Sequence, residues 1–582
     1  MSSMDVDAAA TAPIPVVIRH QGKKYDIDVD VSEPGSIFKY QVYSLTGVQP
    51  ENQKILIKGK QVKDDTDLST LGLKPAQAIM VLGQPGAAPT RLEAPAAKLK
   101  FLEDMSGADA AGGNLQVAPG GLVNLGNTCY LNASLQAMRS LPELQDSLVN
   151  RFEEDPAETS LMLARQLKKV FARMASSYDT YSPDGFLTTV RMLNPRFAER
   201  SRTGAGYAQQ DAEEAWTFVM DNLRRNLLLK DVPAGAEGGS ASNPSVSIVK
   251  RYLAGEMQKT LICDEVAGRT DAQAIPTTES FLALPCHINI NINHLRDGLL
   301  AGLTEKIDKT SEELGREASF TSTLKISRMP KYLTVNFVRF YWKRDIQKKA
   351  KIMRKVTFPH ELDISEMCTD ELRAKLVPVR EKVREVRKEI EEIERTNKKR
   401  KRRLSEERKA EASGSGAGAS RSDAKDDKKE DDKEKKTEGA EGEEVEYKTD
   451  AQIEAEKRES LEKAKEELYQ LAKPRIDEDP YSNHTGLYEL RAVVAHQGAS
   501  ANSGHYTAFV KKGTIVNPKT GKMSEEDGNW WWFNDDTVTE VGSERIDALA
   551  GGGESHSALI LVYGSAPLPL PESRKSQKFF QS

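Results

Sequence analysis

The chain has 582 residues, 38% of them hydrophobic, and its 83 basic and 88 acidic side chains leave a net charge of −5. That length holds several domains, and that hydrophobic share is low for one continuous globule, so part of the chain is expected to be linker. The near balance of charge gives no global reason for nucleic-acid or membrane binding, and no run approaches the ~20 apolar residues of a membrane span. The four cysteines, Cys129, Cys263, Cys286 and Cys368, lie far apart with no CxxC pair. This argues against a zinc ribbon or a disulfide framework and fits a reducing compartment, so no metal and no cofactor are expected. The N-terminal MSSMDVDAAATAPIP lacks the basic start and apolar core of a signal peptide, and a soluble intracellular protein is expected.

After this Ala-rich leader, Ile14 to Leu82 reads as a compact α/β unit. Val16 and Ile18, then Tyr25, Ile27 and Val29, alternate around His20-Gln21-Gly22-Lys23 as in a hairpin. Ile37, Tyr40, Val42 and Leu45 follow at helical spacing, and two further strands, Ile55–Ile57 and Ala78–Leu82, complete a ββαββ order. Residues 84–120 are rich in Ala, Pro and Gly, the composition of a linker.

Gly121 to Gln136, GLVNLGNTCYLNASLQ, then brings glycine-rich turn chemistry up against a helical pattern. Gly121, Asn124, Gly126 and Asn127 tolerate tight or left-handed backbone, while Leu131, Leu135 and Met138 share one helix face. Cys129 therefore sits at a helix N-terminus, where unpaired N–H groups and the helix dipole favour the thiolate. Asn124 is placed to offer an N–H to a developing oxyanion. The plain alternative is a structural cysteine opening a core helix. Helices are expected over Ser160–Ala175 and Pro183–Leu193, the second stopped by Asn194-Pro195. Gln209, Gln210 and Asp211 stand where the next helix begins, so Asp211 also reads as an N-cap.

From Ser247 the pattern turns to strands, among them Lys325–Phe340, whose alternating Leu333, Val335 and Phe337 predict a half-buried strand. Glu371–Glu411 carries sparse apolar residues at helical spacing, Ala412–Glu444 is low complexity and hence disordered, and Gln452–Leu471 is helical again. The two helices are candidates for an antiparallel hairpin. Within the first, KKRKRR at Lys398–Arg403 reads either as a nuclear-import or nucleic-acid patch or as a solvated charge run. Tyr488–Tyr506 supplies a strand, a small loop (ASANSG) and His505 at the start of the next strand. Trp530–Asp536 (WWWFNDD) and Ser557–Tyr563 are the last strands, and residues 565–582 are expected to be disordered.

Residues 14–83, with ILIKGKQVKDDTDLSTLGL in their second half, resemble ubiquitin and the ubiquitin-like domains fused to larger proteins. The chain runs on through Gly83-Gln84-Pro85-Gly86 rather than ending in a free di-glycine, so this unit is expected to be neither cleaved nor conjugated. The resemblance implies that Leu56 and Leu82 face solvent with His20 beside them, as a surface that docks on the proteasome's ubiquitin-like-domain receptors. GLVNLGNTCYLNASLQ resembles the cysteine box of the ubiquitin-specific protease family. QQDAEEAWTFVMDNL resembles its QQD box, KISRMPKYLTVNFVRF its RF strand, SGHYTAFV its histidine box and WWWFNDD the strand that carries its third catalytic residue.

This resemblance implies a specific chemistry. Cys129 is the nucleophile, His505 the general base and later acid, and Asn534 the orienter of His505, with Asp535 as substitute or second support. Asn124 becomes the oxyanion donor, while Gln209, Gln210 and Asp211 hold the C-terminal tail of ubiquitin. Arg339 is expected to be a structural salt-bridge partner. The implied fold is α+β: a β-grasp ubiquitin-like domain, then a papain-like body of thumb, palm and β-strand fingers over residues 121–564, interrupted by the 370–472 insertion. The implied reaction is thiol-dependent hydrolysis of the bond after ubiquitin's C-terminal glycine. Within the family, the proteasome-associated subfamily is implied, with ubiquitin, ubiquitinated proteins and the 26S proteasome as partners, in cytoplasm and nucleus, and a free enzyme that is slow until the proteasome activates it. No membrane or nucleic-acid partner is expected. The alternative is a non-catalytic ubiquitin receptor or scaffold on the proteasome.

Overall fold

Alternation of Val16 and Ile18 with polar neighbours builds strand β1 (Ile14–His20), which turns through Gln21 and Gly22, both at positive φ, into β2 (Lys23–Val29). Helix α1 (Gly35–Thr46) follows, then β3 (Lys54–Ile57), β4 (Lys60–Gln61) and β5 (Gln77–Leu82). The sheet order is β2-β1-β5-β3-β4, with β1 and β5 parallel. α1 buries Phe38 and Val42 in a core with Ile18, Ile55, Ile57, Ile79 and Val81. Each such side chain contributes about 1.5–3 kcal/mol on burial. This is the β-grasp arrangement expected of residues 14–83.

The structure is a computed structural model that describes residues 14–83, 118–414, 450–515 and 526–574, apart from 30, 32–33, 47, 49, 154, 156, 201–205, 230–245, 266–275, 312–313, 344–347, 501–502 and 553–555. The Ala-rich leader, the linker up to residue 117 and the low-complexity stretch from residue 415 lie outside the described residues.

The body begins with α2 (Cys129–Met138), every residue of which is buried, because it packs against both a helix and a sheet. Helices α3 (Met162–Ser176), α4 (Asp184–Leu193) and α5 (Ala212–Asn226) surround it. The strands that follow are β6 (Gly255–Cys263), β7 (Thr277–Phe281), β8 (Ala283–His287), β9 (Thr304–Ser311), β10 (Arg316–Arg328) and β11 (Tyr332–Val338). A hairpin of β12 (Phe340–Lys343) and β13 (Lys348–Lys351) and a short β14 (Glu361–Asp363) come next.

After the helices α6 (Asp370–Gly414) and α7 (Asp450–Glu478), the chain returns to the body as β15 (Leu487–Ser500), β16 (Ser503–Lys511), β17 (Trp530–Asn534), β18 (Thr537–Val541) and β19 (His556–Ser565). One sheet runs β8-β11-β19-β15-β16-β17-β18 with β14 beside β15, and a second runs β9-β10-β6-β7. Lys325–Phe340 is thus the end of β10 followed by β11, and β11 is buried on both faces rather than half-buried. Segments packed above and below it are the reason: Tyr332 and Asn336 on one face donate to Glu143 and Glu213, and Phe337 on the other lies against Phe358.

Among the described residues, 375–414, 450–480 and 567–574 form a separate compact unit. Within it, α6 and α7 run antiparallel, with Lys375 paired to Glu478 and Lys382 to Glu467, both at 3.0 Å. Of residues 565–582, expected to be disordered, 565–574 are described: Ser565 ends β19 and Arg574 forms an ion pair with Glu466 at 2.9 Å. Among the described residues no helix is long and apolar enough to cross a membrane.

Candidate active site

The turn ahead of Cys129 places it. Gly126 and Asn127 take φ of 94° and 55°, the left-handed region that glycine and asparagine tolerate. The Asn124 Oδ1 accepts the Gly126 N–H at 2.9 Å and the Thr128 N–H at 3.3 Å, and Thr128 Oγ1 accepts the Leu125 N–H at 2.8 Å. Thr128 flanks α2 without a side-chain cap, so the positive end of the helix is presented at Cys129.

His505 lies on β16 opposite Gln497 of β15, and 1% of it is exposed. Its Nε2 stands 2.5 Å from Asn534 Oδ1. An amide oxygen only accepts, so Nε2 carries the hydrogen and Nδ1 is left for the thiol. Asn534 ends β17. Asp535 leaves the strand with φ 51°, so its side chain does not take the opposite face of the sheet as the next residue of a continuing strand would. Its carboxylate turns back to the cysteine segment, where Oδ1 accepts from Asn132 Nδ2 at 2.8 Å and Oδ2 from Asn124 Nδ2 at 2.9 Å. Oδ2 is 3.9 Å from His505 Nε2, a charge neighbour rather than a hydrogen-bond partner. Burial raises the Asp535 carboxyl above its ordinary value, opposed by His505 and by the two asparagine amides.

The backbone closes this connection. Leu122 N–H donates to the Asp535 carbonyl at 2.8 Å, and a Cβ on Gly121 would lie 2.5 Å from the Asp536 carbonyl oxygen. Only glycine fits where the two segments touch.

The expected tail-binding residues separate. Gln209 Nε2 lies 3.1 Å from the Gly504 carbonyl and 3.6 Å from Cys129 Sγ, joining the cysteine and histidine segments. Gln210 bonds locally to the Ala208 carbonyl at 3.5 Å, and Asp211 caps α5 by accepting the Glu213 N–H at 2.9 Å. Asp211 also lines an open groove of about 480 Å³ with Glu213, Glu214, Arg196, Thr217 and Phe218.

Helix α1 lies over this centre. The Tyr40 ring stacks on His505 at 5.9 Å and 12°, the Tyr43 ring meets it edge-on at 6.1 Å, and the Tyr43 hydroxyl donates to Asp536 Oδ1. Of the expected docking surface, Leu56 and Leu82 are exposed at 39% and 48%, and Met80 joins them at 56%. His20 does not: it is 4% exposed, with Nε2 on the Gly83 carbonyl at 2.9 Å.

Arg339 is buried and structural, but among the described residues it pairs with carbonyls rather than with a carboxylate. Its guanidinium donates to the carbonyls of Ala558, Ile352, Arg354 and Ala550 between 2.8 and 3.1 Å, and burial lowers its pKa to about 10. Cys286 is buried in β8, where burial pushes its thiol up to about 12. No cluster of three His, Cys, Asp or Glu side chains suited to a metal occurs among the described residues. Asn132 and Tyr43 escaped sequence reasoning. The signal for Asn132 is an amide side chain three residues after Cys129, on the first turn of the same helix.

Residues 120–563 match the family described as ubiquitin carboxyl-terminal hydrolase, and residues 16–86 match the ubiquitin family. The chain is 39% identical to ubiquitin carboxyl-terminal hydrolase 6 of Schizosaccharomyces pombe, covering 94% of this chain and 98% of that one. It is 34% identical to ubiquitin carboxyl-terminal hydrolase 6 of Arabidopsis thaliana, again over 94% and 98%. Against ubiquitin carboxyl-terminal hydrolase 14 of Caenorhabditis elegans it is 29% identical over 94% of this chain and 93% of that one.

Proposed function

The chain belongs to the ubiquitin carboxyl-terminal hydrolase family and is a cysteine-type deubiquitinase with an N-terminal ubiquitin-like domain, and from that premise we propose that Cys129, His505 and Asn534 are its catalytic residues. The observation that carries this reading is the 2.5 Å contact of Asn534 with His505, in a site whose neighbouring Asp535 is bonded to the cysteine segment through Asn124 and Asn132.

His505 Nδ1 takes the Cys129 proton, and the thiolate attacks the carbonyl carbon of ubiquitin's terminal glycine. The carbonyl π electrons move to oxygen. Asn124 has two amide hydrogens, of which one is held by Asp535 and the other serves the oxyanion. As the C–N bond breaks, the imidazolium gives its proton to the departing lysine amine, leaving a thioester. Water, deprotonated by His505, then attacks the thioester carbon and restores the thiol. Asp211, Glu213 and Glu214 give the adjoining groove an acidic wall, which suits the basic tail of ubiquitin.

Turnover of ubiquitin carrying a C-terminal fluorogenic amide tests this. Cys129→Ala abolishes turnover and leaves ubiquitin binding in place. Wild-type turnover in Cys129→Ala would overturn the assignment, and an inert wild-type chain that binds ubiquitin would favour the receptor reading.

The same proposal places the enzyme at the proteasome, trimming and recycling ubiquitin, in cytoplasm and nucleus. Leu56, Met80 and Leu82 support docking: they lie on the face of the β3–β5 sheet opposite the residues that pack on α1, so a receptor reaches them. Tyr40 and Tyr43 over His505 support a free enzyme that is slow. Added proteasomes raise turnover of the full chain, deletion of residues 1–84 removes that response, and a full chain that is equally fast without proteasomes refutes the regulation. Fractionation of cells tests the compartments.

A further inference from the structure

The histidine segment is held by a buried cation. Lys351, the last residue of β13, is 7% exposed, yet its ammonium meets three acceptors: the His496 carbonyl at 2.9 Å, the Gly498 carbonyl at 3.0 Å and His496 Nδ1 at 3.2 Å. An ammonium has three hydrogens, so this site satisfies the charge almost entirely with protein groups. Burying a lysine is unfavourable unless its surroundings compensate, and here they come from one short stretch of β15.

That stretch borders the catalytic histidine. Accepting at Nδ1, neutral His496 carries its hydrogen on Nε2, which has no hydrogen-bond partner among the described residues. The His496 ring is fixed by packing instead, tilted against Tyr506 with centroids 4.6 Å apart and edge-on to Phe340 at 5.5 Å. On its remaining side it fills the space where a side chain on residue 504 would stand. A Cβ there would be 2.5 Å from His496 Nε2 and 2.3 Å from the Gln497 carbonyl, and Gly504 has φ 136°. Gly504 and Tyr506 are the two chain neighbours of His505. The Gly504 carbonyl also receives Gln209, the side chain that reaches Cys129.

We infer that Lys351 is a positioning residue for catalysis: by gripping His496 and Gly498 near the end of β15, it sets the ring that props Gly504 and Tyr506, and so the placement of His505 relative to Cys129. Lys351 touches no reacting atom. This rests on the assignment of Cys129 and His505 above, and a loss of the Lys351 contacts acts through them. Without the ammonium, two carbonyls and a ring nitrogen are left buried without their donor, and the loop root shifts to reach water.

The test uses the full chain with Lys351→Met, which keeps the unbranched stem to within one atom of its length and removes the ammonium. Two readouts are taken: kcat and KM on the fluorogenic ubiquitin substrate, and the pH dependence of Cys129 alkylation by chloroacetamide. A displacement near 1 Å at the chemistry lowers kcat about 100-fold, with KM little changed. The alkylation midpoint moves upward, toward the value of about 8.5 of an ordinary cysteine, as the thiolate loses its imidazolium partner. Where Lys351→Met does not fold, His496→Phe keeps the ring packing and removes one acceptor, and both readouts move in the same direction. Unchanged kcat in the folded variant overturns the proposal, and so does a fall in kcat with an unmoved alkylation midpoint. Retention of turnover by Cys129→Ala, in contrast, defeats the underlying assignment and not the Lys351 contact.

Discussion

Asn534→Ala separates the two candidate orienters of His505. In the wild type, Asn534 Oδ1 accepts from His505 Nε2 at 2.5 Å, in a site where both side chains are buried. Truncation leaves a buried N–H without its acceptor, at about 1–3 kcal/mol. At 1.36 kcal/mol per factor of ten, that is a fall in kcat of roughly 5- to 150-fold, provided the group acts in the transition state. Asp535 does not take over: its nearer oxygen is 3.9 Å away, and closing that gap means leaving the amides of Asn124 and Asn132 at 2.9 and 2.8 Å. Asn534→Asp keeps an accepting oxygen and retains activity. Steady-state turnover of fluorogenic ubiquitin measures the wild type, the two Asn534 variants and Asp535→Asn, with KM showing that ubiquitin is still bound. If Asn534→Ala stays within two-fold of wild type and Asp535→Asn collapses, Asp535 is the orienting group and the reasoning fails.

Four further outcomes follow from the same geometry. Asn124→Ala removes the oxyanion donor and lowers kcat by about 100- to 1,000-fold with KM nearly unchanged, read in the same assay. Gly121→Ala drives a methyl into the Asp536 carbonyl, and its turnover falls although circular dichroism shows a folded chain. Arg339→Met strands the buried carbonyls of Ala558 and Ala550 and the part-buried ones of Ile352 and Arg354, and lowers stability by about 2–6 kcal/mol, seen as a lower urea midpoint. Burial holds His496 and His556 neutral, well below the ordinary 6.5, so the unfolded chain binds protons that the folded chain refuses. Their contribution is present above pH 6.5 and is lost as pH falls below it. Each adds a slope of about 1.4 kcal/mol per pH unit to stability below that point, which His556→Phe reduces by one such step in denaturation measured between about pH 5 and 6.

The sequence alone determined whatever depends on neighbours along the chain. Gly126-Asn127 before an apolar helical repeat puts Cys129 at a helix start, because left-handed backbone and helix entry are local events. Asp211 as a cap of α5 is local in the same sense. Motif order supplied the pairing of Cys129 with His505, since a chemical group at one place demanded a partner at another. Tertiary structure decided the rest. Leu333, Val335 and Phe337 alternate like a half-buried strand, yet β11 is buried on both faces because distant segments pack on each, Glu143 and Glu213 against Tyr332 and Asn336 and Phe358 against Phe337. Asp535 faces the cysteine segment because one residue takes φ 51° where the strand ends, an angle that no periodicity encodes. Arg339 met carbonyls where a carboxylate was expected, because strand ends and loops from three stretches converge on it. His20 left the docking surface by burying its ring against Gly83, and Asn132 entered the site only when its helix was laid beside Asp535. Where a side chain points across the chain depends on what folding brings opposite it, and that information is in the packing of distant segments rather than in the run of neighbours.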